Sequence, residues 1–135
     1  MNHVYILGGL RSYIGVKDGM YRHIPAEKLG AEVLREVASR FELPTDAIDY
    51  IIGGNAVGGG GNITRLAALS AGFPERIPAV TLDLQCGSAL EAISAAAAKI
   101  ESGMADLVIA GGMESSSVQP YRMMSPNHPE YDGGK

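Results

Sequence analysis

The residues best equipped for chemistry are Asp83-Leu-Gln-Cys-Gly-Ser88, which hold the only cysteine of the chain. A β-prone run, Pro78-Ala-Val-Thr-Leu82, leads into them, and an alanine-rich stretch follows. At a junction from strand to helix, free backbone N–H groups and the helix dipole favour negative charge. Cysteine attacks as the thiolate, and a helix start favours that form. The same amides can donate to an oxyanion developing on a bound thioester. Gly87 leaves room for an incoming acyl group. The competing reading is plain packing, because free cysteine is among the most buried residue types. On the residues alone both readings stand.

The elements that must position Cys86 follow from the apolar pattern. Val4-Tyr-Ile-Leu7, stopped by Gly8-Gly9, reads as a first strand. Pro25 suits the first turn of a helix. Leu29, Val33 and Val37 recur at i+4, with Leu34 and Phe41 beside them, which predicts an amphipathic helix ending before Pro44. Tyr50-Ile51-Ile52 is the second strand, and a glycine-rich run then extends to Gly61. Asn62 can cap a helix over about residues 64–71, closed by Gly72 and Pro74. A third strand over Ala79–Leu82, a third helix from about Cys86 to Ser102, and a fourth strand over Leu107–Ala110 complete the pattern.

The order β-α-β-α-β-α-β predicts an α/β fold with a mainly parallel sheet and helices on its faces. The third helix carries only Glu91, Lys99 and Glu101 as charged residues. Apolar nearly all round, it is expected to lie between two layers. Residues 113–135 show no apolar periodicity. A loop of that length predicts either a binding loop or a chain that stops partway through a larger design.

Composition excludes several classes. At 135 residues, 46% hydrophobic and 19% charged, the chain is globular and of single-domain size. A net charge of −4 without a basic stripe argues against nucleic acid as a partner. One cysteine excludes an intrachain disulfide framework and a CxxC metal or redox motif. No apolar run approaches the roughly 20 residues of a membrane helix, and no secretory signal is visible, so no membrane association and a cytoplasmic address are expected. Eighteen glycines and no tryptophan imply a core of small aliphatic residues in closely stacked layers.

Four stretches in register resemble the thiolase family. They are Leu7-Gly-Gly-Leu-Arg-Ser-Tyr-Ile-Gly15, the run Gly58 to Ala68, Gln85-Cys-Gly-Ser-Ala-Leu90, and Ala110-Gly-Gly-Met-Glu-Ser115. The resemblance implies the first part of a thiolase-like layered fold, over residues 1–112, with 113–135 beginning the excursion that cradles coenzyme A. It implies that Cys86 takes an acyl group from acyl-CoA and offers its backbone N–H to the oxyanion. Acetyl-CoA would then be joined to that group by Claisen condensation, or thiolysis of a 3-ketoacyl-CoA would run in reverse. Coenzyme A thioesters enter as substrates, and no cofactor or metal is implied. The family's catalytic histidine and second cysteine come from a C-terminal half that these residues do not contain. The chain is therefore expected to be inactive alone, as a fragment or as one piece of a protein completed by another polypeptide, with a homo-oligomer or a complementary C-terminal polypeptide as its assembly. A non-catalytic thiolase-like subunit or truncated product that binds a partner is the alternative.

Other candidates read more simply. Gly58-Gly-Gly-Gly61 lacks the Lys-Ser/Thr of a phosphate loop and reads as a tight turn or subunit contact. Arg11 could meet a CoA phosphate, although a solvated loop arginine is the commoner role. Glu114 is expected to tie down backbone beside the active-site layer. Met113, Met123 and Met124 could line an acyl path or fill gaps. His128-Pro129 lies in the wrong half to be the family's base, and His3 and His23 read as edge and loop residues. Ser12-Tyr13, Ile63 and Ala89 depart from the family pattern, which bears on substrate preference more than on fold.

Overall fold

Alternating side chains along Tyr50–Gly54 divide the molecule into two faces. In the computed structural model, which describes residues 1–134, this segment is the central strand β1. It pairs in parallel with β2 (Ala79–Leu82) on one side and β3 (Val108–Gly112) on the other. Ile51 packs with Leu34 of α1 (Ala26–Arg40), Ala67 and Ala68 of α2 (Ile63–Ser70), Phe73 and Ile77. Ile52, one residue on, turns to the other face and meets Ala92 and Ala96 of α3 (Ser88–Glu101). The chain is thus an α/β unit with three parallel strands, α1 and α2 on one face and α3 on the other. Ile48, Ile51, Ile52 and Ile77 are fully buried, each contributing about 1.5–3 kcal/mol by leaving water.

Small residues set the spacing of the layers. The expected stripe of Leu29, Val33 and Val37 is only half-buried, while Ala26, Gly30, Ala31 and Leu34 form the buried face of α1. A β-carbon on Gly30 would lie 2.5 Å from Met113 Sδ and 3.5 Å from Ala67 Cβ, so the helix sits directly against its neighbours. Met113 is therefore a packing residue on this side of the sheet, and Met123 and Met124 are exposed.

The start of α2 is stapled to β2. Asn62 Oδ1 accepts from Arg65 N at 3.2 Å, as a cap should, and Asn62 Nδ2 donates to Ala79 O at 2.8 Å. The Thr81 hydroxyl accepts from Thr64 N at 2.9 Å and donates to Asn62 Oδ1 at 2.8 Å. Thr64 is fully buried by this arrangement.

Two expectations are corrected and a third, α3 between two layers, is met on one side. Val4–Leu7 forms no strand, and Tyr5, Ile6 and Leu7 are exposed. A strand exists through its ladder, and no neighbouring strand pairs with these residues. Their tether is Asn2, which bonds through N and Nδ2 to Glu101 O and Ile100 O at the end of α3. The third helix begins at Ser88, with Gly87 at the N-cap position, so Cys86 precedes its first turn. Finally, α3 is covered on one face only. Ser88, Ala92 and Ala96 are buried, whereas Leu90 is 70% and Ile93 44% exposed, because only the sheet packs against the helix in this chain. Residues 113–134, within the segment expected to begin the excursion, contain no helix or strand, and Lys135 lies outside the described residues.

Candidate active site

All three strands are parallel, so the chain leaves the sheet along one edge at Asn55, Asp83 and Met113. From that edge β1 feeds α2 on one face and the neighbouring β2 feeds α3 on the other. Adjacent strands that diverge in this way leave a crevice at their C-terminal ends, the usual ligand position of open α/β sheets. The turn carrying Cys86 connects β2 to α3 at this edge.

Two glycines floor the site. Gly54 and Gly112 pair in register at the ends of β1 and β3. A β-carbon on Gly54 would approach Ser88 C to 2.5 Å, and one on Gly112 would approach Ala89 Cβ to 2.7 Å. The first turn of α3 therefore rests directly on the strand ends.

Cys86 is exposed. Gln85, just before it, holds φ +52° without being glycine, a conformation that surrounding structure must sustain. Gly87 N and Ser88 N close turns on Leu84 O and Gln85 O at 3.0 and 3.2 Å, and Glu91 N takes Gly87 O at 2.9 Å. The N–H groups of Cys86, Ala89 and Leu90 meet no acceptor among the described residues. A sulfur and three uncommitted donors thus share the mouth of α3. At Gly87 an added β-carbon would find only ordinary contacts, 3.4 Å from Leu84 O. The protein's own packing does not demand glycine there.

The flanking loops are tied to one another. Glu114 accepts from Ala56 N, from Val57 N at 3.3 Å and from Asn55 Nδ2 at 3.2 Å. Asn55 Nδ2 also donates to Met113 O at 2.8 Å, and Asn55 Oδ1 accepts from Gly58 N at 3.0 Å. Asn55 N reaches Leu82 O at 3.1 Å. Glu114 thus has the backbone-tethering role expected of it, and Asn55, which sequence reasoning passed over, links all three strand ends. The signal that could have found Asn55 is its place directly after a glycine-ended strand.

No histidine hydrogen-bonds to the Cys86 turn among the described residues. His23 Nε2 accepts from Arg22 Nε at 3.1 Å, His128 Nδ1 accepts from Glu130 N at 3.1 Å, and His3 stands near Tyr5 with ring centroids 6.4 Å apart. Arg11 donates to Ser12 O at 2.8 Å. A cleft of about 280 Å³ lies between Ser12, Tyr13 and Lys17 and the segment Glu114–Ser117, and Cys86 does not line it. No helix among the described residues is long and apolar enough to cross a membrane.

Comparison with known proteins gives these features a context. Over 121 residues the chain is 42% identical to YhfS of Bacillus subtilis, a match covering 90% of the chain and 32% of that protein. It is 41% identical over 123 residues to the steroid 3-ketoacyl-CoA thiolase FadA6 of Mycobacterium tuberculosis, covering 89% of the chain and 30% of the relative. The crystal structure of the Bacillus anthracis acetyl-CoA acetyltransferase superposes with a TM-score of 0.79 at 32% identity, over 87% of this chain and 30% of that one. The chain spans about a third of the length of the relatives it matches. Residues 4–134 match the thiolase N-terminal domain, and the chain belongs to the thiolase family.

Proposed function

We propose that Cys86 accepts the acyl group of an acyl-CoA thioester, as the nucleophile of a thiolase-type acyltransferase. The observation that carries this reading is the exposed sulfur beside uncommitted amides at the mouth of α3. The thiolate adds to the thioester carbonyl, and the oxyanion so formed is met by the Cys86 N–H. Collapse breaks the bond between the acyl carbon and the CoA sulfur, and CoA leaves as a thiolate that takes up a proton. In the condensing direction, acetyl-CoA loses a methyl proton to a base, and its carbanion attacks the acyl carbon on Cys86. A carbon–carbon bond forms, the Cys86 thiolate is released, and 3-ketoacyl-CoA results. Thiolysis is the reverse.

The base for the second half comes from outside these residues, in keeping with the match to about a third of each relative. A complementary C-terminal polypeptide, or the remainder of a longer chain, supplies it. The exposed glycines 59–61 after β1 leave a surface suited to contact between copies in a homo-oligomer. The bare Leu90 and Ile93 on α3 favour a second reading, a non-catalytic subunit that docks a partner. Incubation with acetyl-CoA separates the two. Mass spectrometry should find an acetyl group on Cys86 that is lost in Cys86→Ala. No adduct, even with the complementary portion present, would leave the docking reading alone.

A further inference from the structure

We infer that Ser88 is the positioning residue of the Cys86 turn, its hydroxyl holding the backbone of Leu84 and Gln85 so that the sulfur and the Cys86 N–H face one point. The inference deepens the acyl-transfer reading and rests on it for its purpose, though not for its geometry. Ser88 is 5% exposed, buried where α3 meets the ends of β1 and β3. Its Oγ accepts from Leu84 N at 2.8 Å and donates to Gln85 O at 2.6 Å. Both lone-pair and proton capacity of the hydroxyl are thereby directed at the two residues before Cys86.

Those two residues need holding. Gln85 carries φ +52°, which costs a non-glycine residue of the order of 1–3 kcal/mol unless the surroundings fix it. Asp83 Oδ1 accepts from Gln85 N at 2.8 Å, but that carboxylate sits on the exposed side of the turn. The Ser88 hydroxyl grips it from below. Ser88 itself cannot drift, because Gly54 lies against its backbone. The chain of cause runs from the glycine at the end of β1 to Ser88, from Ser88 to Leu84 and Gln85, and from these to the direction of Cys86.

An acyl transfer and an alkylation make different demands on this turn. Displacement at the saturated carbon of iodoacetamide needs only an accessible thiolate. Acyl transfer from p-nitrophenyl acetate forms the bond from Sγ to the acyl carbon, breaks the ester C–O bond and expels nitrophenolate. It therefore also needs a donor aimed at the developing oxyanion. The ratio of the two rates cancels thiolate availability and reports aim. Measured on the peptide that carries Cys86, this ratio should fall at least about tenfold in Ser88→Ala, since misaligned oxyanion donors cost of the order of 10²–10³ in rate. In Ser102→Ala, which removes a serine hydroxyl bonded to Lys99 O at the far end of the same helix, it should stay within about twofold. An unchanged ratio in Ser88→Ala, or an equal fall in Ser102→Ala, overturns the inference.

A measurement without any variant guards against a Ser88→Ala protein that does not fold. After correction for intrinsic rates, the Leu84 amide should exchange its hydrogen at least about tenfold more slowly than the Cys86 amide, and equal exchange overturns the inference. An absent acetyl-CoA adduct with a fallen ratio would reject the acyl-CoA reading alone. An adduct with an unchanged ratio would reject the role of Ser88 alone.

Discussion

Gly54 and Ser88 are in backbone contact: a β-carbon on Gly54 would stand 2.5 Å from Ser88 C and 2.7 Å from Ala89 N. The obstacle is main chain, which cannot swing aside as a side-chain tip can. Gly54→Ala must therefore lift the start of α3 from the sheet, and should lower stability by about 1–3 kcal/mol as overpacking does. Gly30→Ala makes a useful contrast. Its new methyl meets the end of the Met113 side chain, which can rotate, and mid-helix alanine gains about 1 kcal/mol over glycine. Denaturant melts should show a marked loss for Gly54→Ala and a change within about 1 kcal/mol for Gly30→Ala.

Glu114 joins the loop after β3 to the loop after β1 through Ala56 N, Val57 N and Asn55 Nδ2. Glu114→Ala should free those amides to exchange with solvent about tenfold faster, the equivalent of one hydrogen bond. Glu114→Gln keeps an acceptor oxygen and should lose less. Equal exchange at Ala56 and Val57 in parent and Glu114→Ala would show that the loop is held by other means.

Asp49 provides a dependence on pH. Its carboxylate accepts from Asp106 N at 2.7 Å and Leu107 N at 3.1 Å. These bonds, the Asp106 bond foremost, lower its pKa below the ordinary 3.8, while desolvation opposes them and Arg76 adds a little. A depressed folded-state value means stability that is fully present above pH 3.8 and lost as pH falls through the folded value. Asp49→Asn should therefore melt at a lower temperature than the parent at neutral pH. The gap should hold down to about pH 5 and close in more acidic solution. A gap that is the same at neutral pH and at full protonation would remove the carboxylate from the account.

The three strands that formed and all three helices were readable from apolar runs bounded by glycine and proline. Asn62 was readable as a cap because its side-chain chemistry is local. What failed depended on partners distant in sequence. Val4–Leu7 has the composition of a strand, but composition supplies no ladder. Leu29, Val33 and Val37 have the stripe of a buried face, yet Gly30 and Ala31 win it because α2 and Met113 approach closely. In α3 the all-round apolarity was real, and only one of the surfaces that it could bury against is supplied here. At the candidate site, the cysteine and its helix were visible in the sequence. Ser88, Asn55 and the Gly54–Gly112 floor act through backbone geometry, which a string of residue types does not display.

The two faces of α3 should respond oppositely to the same change. Ala92 is fully buried against Ile52, while Leu90 is 70% and Ile93 44% exposed. Lysine at Ala92 would place a charge in the apolar layer under the sheet, costing several kcal/mol and unfolding the chain. Lysines at Leu90 and Ile93 remove no protein contact of comparable burial and should change the melting free energy by no more than about 0.5 kcal/mol each. They should also reduce self-association, because a contiguous apolar patch drives it. Size-exclusion chromatography with a urea melt reads both effects. If Leu90→Lys/Ile93→Lys unfolds the chain as Ala92→Lys does, that face is already covered by something in solution, and the one-sided burial of α3 is wrong.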